Sequence, residues 1–289
     1  MYPGSVLRNK LAQRRGLLVP GAANALAARV IADLNFEAVY LSGAGLTNTF
    51  YGIPDLGFMS LQDVASHTAA IRDAVGLPLI VDADTGFGNA LNVYQTVRML
   101  ERSGANAIQL EDQQMPKKCG HFNDKSVITQ DEMVGKIHAA LDARVHQDFL
   151  IIARTDARAI EGFDAAIARA MAYAQAGADL TFVEAPVSQE EVRRIPQELS
   201  CPQVVNVVIG GKTPALSVQQ LGEWGYGMVL YANAALQGAL HGMRQALAAL
   251  QRDGQLQESS GLVATFEERQ RYVDKDRFDA LSRRFGSGS

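Results

Sequence analysis

The sequence predicts an α/β protein, a (β/α)8 TIM-type barrel with an extra C-terminal helical segment, and three observations predict it. Short apolar runs alternate with longer amphipathic ones, the pattern of a parallel sheet with helices outside it. Eight such units fit a chain of 289 residues, a common length for a single barrel. The polar residues able to do chemistry fall just after the apolar runs, where a barrel keeps its active site.

The strands are expected at Leu17 to Pro20, Ala38 to Leu41, Pro78 to Asp82, Ala107 to Glu111, Phe149 to Arg154, Leu180 to Glu184, Gln203 to Val207 and Met228 to Tyr231. Between them lie helical stretches such as Ala23 to Asp33, Leu61 to Ala74, Ala90 to Ser103, Gln130 to Ala143 and Phe163 to Ala176. Ser103-Gly104 and Ala176-Gly177 place glycine where a helix C-terminus turns left-handed. A doubly wound sheet would carry a glycine-rich phosphate turn after its first strand, and Val19-Pro20-Gly21-Ala22-Ala23-Asn24 does not match one. Ala234 to Gln251 reads as a long helix, Arg252 to Ser260 as a polar link and Glu267 to Phe285 as a last helical segment. Residues 1–251 then form the barrel, 252–285 a helical extension of the same domain, and Gly286-Ser287-Gly288-Ser289 a flexible tail.

Composition narrows the function classes. The chain is 47% hydrophobic and 20% charged with net charge −4, an ordinary globular balance with no basic footprint for nucleic acid. No apolar run approaches a membrane span, and the N-terminus has no signal-peptide core, so a cytoplasmic protein is expected. Two cysteines, Cys119 and Cys201, make no disulfide framework and suit a reducing compartment.

The strand ends carry the candidate site. They are Tyr40-Leu41-Ser42-Gly43-Ala44, Asp82-Ala83-Asp84, Glu111-Asp112, Arg154-Thr155-Asp156, Glu184 and Asn206. Asp82 and Asp84 alternate onto one face. With Glu111 they make a cluster of hard oxygen ligands suited to Mg²⁺, or Mn²⁺, rather than zinc. Arg154 offers a bidentate fork for a carboxylate, and the amides of Ser42, Gly43 and Ala44 could hold a second one. The loop after the fourth strand, Lys117-Lys118-Cys119-Gly120-His121, sets a thiol among cations, which stabilises thiolate. Gly120 gives that loop backbone freedom. The bland alternatives are a half-buried structural Cys119, acids that merely cap helices, and a solubilising His121.

Glu111-Asp112-Gln113, a short spacer and Lys117-Lys118-Cys119-Gly120-His121 resemble the signature of the isocitrate lyase and phosphoenolpyruvate mutase superfamily. The resemblance runs from about Arg8 to Phe285 and is strongest to its 2-methylisocitrate lyase, dimethylmalate lyase and carboxyphosphonoenolpyruvate mutase branch. It implies a Mg²⁺-dependent carbon–carbon lyase that cleaves a 2-hydroxy di- or tricarboxylate to a 2-oxo acid, pyruvate or glyoxylate, and a second acid. It implies that Cys119 protonates the departing carbanion, with Lys117 and His121 beside it. Pro54-Asp55-Leu56-Gly57 matches the family's PDLG, making Asp55, with Tyr40, a base candidate. Asp82 or Asp84 would meet the ion, often through water, and Ser42, Gly43, Ala44, Gly120, Arg154, Glu184 and Asn206 would bind substrate. It further implies a homo-oligomer, a dimer of dimers, with the C-terminal helix exchanged between subunits. Packing of that helix on its own barrel fits its apolar spacing equally well.

Three positions depart from the pattern, the least of them Ala44, since Ser42-Gly43-Ala44 stands in for Ser-Gly-Gly. Ile209 stands where the lyases carry a glutamate in Asn-x-x-Glu-Gly-Gly-Lys-Thr, which predicts a drier pocket. Asn233 lies in Tyr231-Ala232-Asn233 where many lyases read Tyr-Pro-Leu-Ser. Ile209 favours a smaller or less charged substrate such as a 2-alkylmalate, while Ala232-Asn233 is locally similar to the mutase members, which lack the Cys-Gly-His loop. The competing readings are an oxaloacetate hydrolase or decarboxylase, a phosphonomutase, and a barrel without catalysis.

Overall fold

Alternation within each strand run sends one set of side chains into a shared interior and the other onto the helices. In the computed structural model, which describes residues 2–118, 120 and 125–286, this closes a barrel. Its strands are β1 (Leu17–Ala22), β2 (Val39–Leu41), β3 (Leu79–Asp82), β4 (Ala107–Glu111), β5 (Leu150–Thr155), β6 (Leu180–Val183), β7 (Gln203–Asn206) and β8 (Met228–Tyr231). All neighbours are parallel and β1 pairs with β8, in the order β1 to β8.

The helices are α1 (Pro3–Ala12), α2 (Ala25–Asp33), α3 (Gly43–Phe50), α4 (Leu61–Ala74), α5 (Ala90–Arg102), α6 (Gln130–Ala143), α7 (Phe163–Gln175), α8 (Gln189–Glu198), α9 (Val218–Glu223), α10 (Ala234–Asp253), α11 (Phe266–Tyr272) and α12 (Lys275–Phe285). Gly104 and Gly177 have φ of 99° and 104°, the left-handed turns expected after α5 and α7.

Three buried apolar clusters follow from the alternation. The inner one holds Val19, Tyr40, Ile80, Ala107, Ile152, Phe182, Val204 and Leu230. The outward residues, such as Val81, Ile108 and Ile151, pack with α2, α4, α5 and α6. A third cluster gathers Ala166, Val192, Leu221 and Val229. Leu7 and Leu11 of α1 join the inner cluster and are 0% and 1% exposed, so this helix plugs one end of the barrel. Arg8 anchors it, with Nη1 2.7 Å from Asp179 and Nε 2.9 Å from Asp148.

The chain divides into two compact units, Met1–Ala234 and Ala235–Ser289. Nearly all of α10 falls in the second unit, ahead of the boundary expected at residue 251. The physical reason is its burial, since Ala249 alone of its twenty residues is buried. The single last helix expected from Glu267 to Phe285 is two, because Asp274 turns left-handed at φ 59° between α11 and α12. Among the described residues no helix is long and apolar enough to cross a membrane.

Candidate active site

Inward alternation at the carboxyl ends of the strands builds the site. Ala107, Gln109 and Glu111 of β4 share the inner face, as do Ile152 and Arg154 of β5, and register sets Glu111 beside Arg154 and Arg154 beside Phe182. One pocket at this end is lined by Tyr40, Ser42, Ala44, Asp55, Asp82, Glu111, Lys117, Gly120, Arg154, Glu184 and Asn206. Those are eleven of the residues the sequence singled out. Gly43 and Asp84 adjoin them. Cys119 and His121 lie outside the described residues.

Asp82 and Asp84 do face the same point, the start of α3. A Cβ added at Gly43 would lie 3.1 Å from Asp82 Oδ2 and 3.2 Å from Asp84 Oδ1, so a side chain there would crowd both carboxylates. The Gly43 amide donates to Asp82 Oδ2 at 3.2 Å, and a helix N-terminus favours such a charge. This corrects the expected anion nest. The Gly43 amide is engaged by Asp82 and the Ser42 amide donates to Ala22 O at 3.2 Å, which narrows the nest to Ala44. Ser42 Oγ caps α3 by accepting from the Gly45 amide and donates to Asn233 Oδ1 at 3.1 Å.

Lys117 is the buried hub. Its Nζ lies 2.7 Å from Asp55 Oδ1 and 2.8 Å from Asp84 Oδ1. Burial pushes the ammonium down, but Asp84, Glu111 and Asp55 outweigh it and hold it well above its ordinary range. Burial pushes the Asp84 carboxyl up to about 7 and the Glu111 carboxyl well above its usual range. Burial and then Asp82 also raise the Tyr40 phenol far above its normal value. A phenol raised so far keeps its proton, which weighs against Tyr40 as a base.

The fork of Arg154 is half used by the protein itself. Nε and Nη2 donate to Asp156 at 2.9 and 3.1 Å, while Nη1 lies 3.4 Å from Glu111 Oε2. The bidentate edge expected for substrate is thus taken by Asp156, leaving the Nη1–Nη2 edge. Its cation also stands 5.3 Å from the Phe182 ring.

The three candidate metal carboxylates do not converge as a bare cage, and among the described residues no three His, Cys, Asp or Glu groups do. Lys117 sits against Asp84 and Arg154 against Glu111 instead. The set nevertheless fits an ion held largely through water, the form Mg²⁺ favours. Among the described residues, buried Glu111 Oε1 and Gln109 Oε1 have no hydrogen-bond partner, and a buried orphan acceptor calls for one. Among the described residues six acids (Asp55, Asp82, Asp84, Glu111, Asp156, Glu184) face four cations (Lys117, Lys118, Lys125, Arg154), so the site has room for positive charge.

Sequence reasoning passed over Gln109, Lys125 and the apolar wall of Phe182, Val208, Leu230 and Ala232. Gln109 was legible, being two residues before Glu111 on an alternating strand. Ile209 is 55% exposed and does not line the pocket. The dry side that its substitution predicted is supplied by Val208, because the chain turns outward after it.

Comparison with known proteins agrees with the barrel fold. Residues 7–251 match the phosphoenolpyruvate phosphomutase family. The chain is 42% identical to a 2,3-dimethylmalate lyase of Eubacterium barkeri over 268 residues, covering 93% of each chain. It is 47% identical to a 2-methylisocitrate lyase of Aeropyrum pernix over 238 residues, covering 82% of this chain and 76% of that one. A crystal structure of 2,3-dimethylmalate lyase, a PEP mutase/isocitrate lyase superfamily member, superposes with a TM-score of 0.92 at 33% identity, over 99% of this chain and 96% of that one. With an eight-stranded barrel, a carboxylate-rich mouth and these matches, the chain belongs to the phosphoenolpyruvate phosphomutase family, within the PEP mutase/isocitrate lyase superfamily.

Proposed function

We propose that this protein is a carbon–carbon lyase that splits a 2-hydroxy dicarboxylate of the 2-alkylmalate type into a 2-oxo acid and a second carboxylic acid. The observation that carries the reading is the Lys117–Asp55 ion pair at 2.7 Å in a pocket with Arg154 on one side and an apolar wall on the other. Asp55 accepts the proton of the substrate hydroxyl, and Lys117 stabilises the charge that results. As the C2 oxygen becomes a carbonyl, the adjacent carbon–carbon bond breaks and its electron pair stays on the departing fragment. Cys119, next to Gly120 in sequence, returns a proton to that carbon. Arg154 orients one substrate carboxylate through its Nη1–Nη2 edge. Asp82, Asp84 and Glu111 would hold a divalent cation, which supplies Lewis-acid stabilisation of the forming enolate.

The substrate class follows from charge and shape. Lys117 is committed to Asp55 and Asp84, Arg154 keeps only its Nη1–Nη2 edge for one substrate carboxylate, and Phe182, Val208, Leu230 and Ala232 are apolar. A third substrate carboxylate would meet that wall unpaired, and burying it so is costly. An alkyl group fits there. The lyase relatives named for 2,3-dimethylmalate and 2-methylisocitrate bracket this choice.

The test is 2-oxo acid release from 2,3-dimethylmalate, other 2-alkylmalates, 2-methylisocitrate, isocitrate and oxaloacetate, with Mg²⁺ and then with chelator. Release from an alkylmalate that stops with chelator and falls at least about 100-fold in Cys119→Ser is the expected result. Turnover of oxaloacetate alone, or turnover indifferent to Cys119, would overturn the reading.

A further inference from the structure

Lys125 is half-buried as a residue, but its side chain is almost wholly covered, 2% accessible beside an Asp156 carboxylate at 0%. Lysine is seldom buried unless its charge is paired. Here Nζ lies 2.6 Å from Asp156 Oδ1 and also donates to the Gly120 carbonyl at 2.5 Å. Asp156 already has a cation, since Arg154 grips it through Nε and Nη2. Pairing with Asp156 does not by itself explain the second bond, to Gly120.

The rest of the geometry explains the second partner. Gly120 lies directly on Arg154 and Glu184: a Cβ there would come within 2.4 Å of Arg154 Nη2 and 2.5 Å of Glu184 Oε1. The contacts close a ring from Arg154 to Asp156, to Lys125, to Gly120 and back to Arg154. Asp156 is the fixed member. Its amide donates to Asp112 Oδ1 at 2.9 Å, and Asp112 is itself held by Thr155 Oγ1 at 2.7 Å and the Tyr173 hydroxyl at 2.8 Å. Burial pushes the Asp156 carboxyl up, but Arg154 and Lys125 outweigh it and hold it below its usual range.

We propose that Lys125 is a positioning residue of this site, tying the Gly120 carbonyl to Asp156 and so keeping the backbone beside Cys119 in register with Arg154. Lys125 touches no reacting atom in this scheme. It acts through Gly120 on the segment that carries the thiol, and through Asp156 on the orientation of the guanidinium. The reaction it serves is the one proposed above, but the register it maintains is a property of the chain and can be measured apart from turnover.

The test compares wild type, Lys125→Met, which keeps length without charge, and Lys125→Arg, on the full chain with Mg²⁺ present. Hydrogen–deuterium exchange of the peptide spanning 113–128 is expected to quicken about tenfold or more in Lys125→Met and to stay near wild type in Lys125→Arg. On whichever substrate is turned over, kcat is expected to fall about 100-fold with KM moving less than about tenfold. Arg154 still satisfies Asp156, so the melting temperature should stay within about 3 °C. Unchanged exchange in that peptide would overturn the proposal even if no substrate is found. So would a kcat that falls only in proportion to the folded fraction. If wild type turns over nothing, the lyase reading fails while the exchange result still decides the role of Lys125.

Discussion

Gly120 illustrates how a residue's reason can change between sequence and structure. As a letter beside a cysteine it suggests backbone freedom. In the fold its value is absence of volume, because Arg154 and Glu184 fill the space a methyl group would need. Gly120→Ala is therefore expected to displace Arg154 and lower kcat/KM by about tenfold or more, a cost of at least ~1.4 kcal/mol in transition-state stabilisation. The melting temperature should hold. Normal kinetics in Gly120→Ala would remove Gly120 from the site. Lys117 shows the opposite case, a residue whose role needs partners 62 positions away, since Asp55 meets it only when β2 and β4 are neighbours across β3.

At the scale of the element, local rules explain the borders well. Helix α4 begins at Ser60, whose Oγ accepts from the Asp63 amide while Asp63 accepts from the Ser60 amide, a reciprocal capping box. Ser60→Ala should cost about 1 kcal/mol and lower the melting temperature by about 2–4 °C, measured by thermal unfolding. The helix that local rules hide is α1. Its ten residues look like a short exposed start, yet Pro3 opens it and Leu7 and Leu11, one turn apart, seal the barrel end. Leu7→Ala should destabilise by about 2–5 kcal/mol, since it opens a cavity against the inner cluster. A loss below about 1 kcal/mol would mean the plug is not part of the core.

For the whole molecule, closure of the sheet concentrates charge at one end and leaves apolar surface elsewhere. Phe266, Phe278 and Phe285 in the C-terminal unit are 63%, 58% and 71% exposed, and aromatic rings so placed favour a protein partner. The homo-oligomer expected from the sequence would cover such rings. The protein should sediment as a homo-oligomer of the 31.2 kDa chain, and Phe278→Asp should shift it toward smaller species. Monomeric wild type in sedimentation would sink that expectation.

Strand positions, the barrel and most of the pocket were legible because alternation is a local property and a barrel always gathers strand ends at one mouth. Tyr40, Asp82, Glu111, Arg154, Glu184 and Asn206 could be named for that reason alone. The partners were not legible. That Asp156 takes the fork of Arg154, that Lys117 lies against Asp84, that Lys125 spans Gly120 and Asp156, and that Val208 rather than Ile209 dries the pocket all depend on distances between strands and loops far apart in the chain. Sequence by itself determined which residues face the mouth, since a side chain's face is set by its neighbours along the strand. Only the tertiary structure decided which charge meets which, because electrostatic pairing depends on separation in space and on the burial that strengthens it.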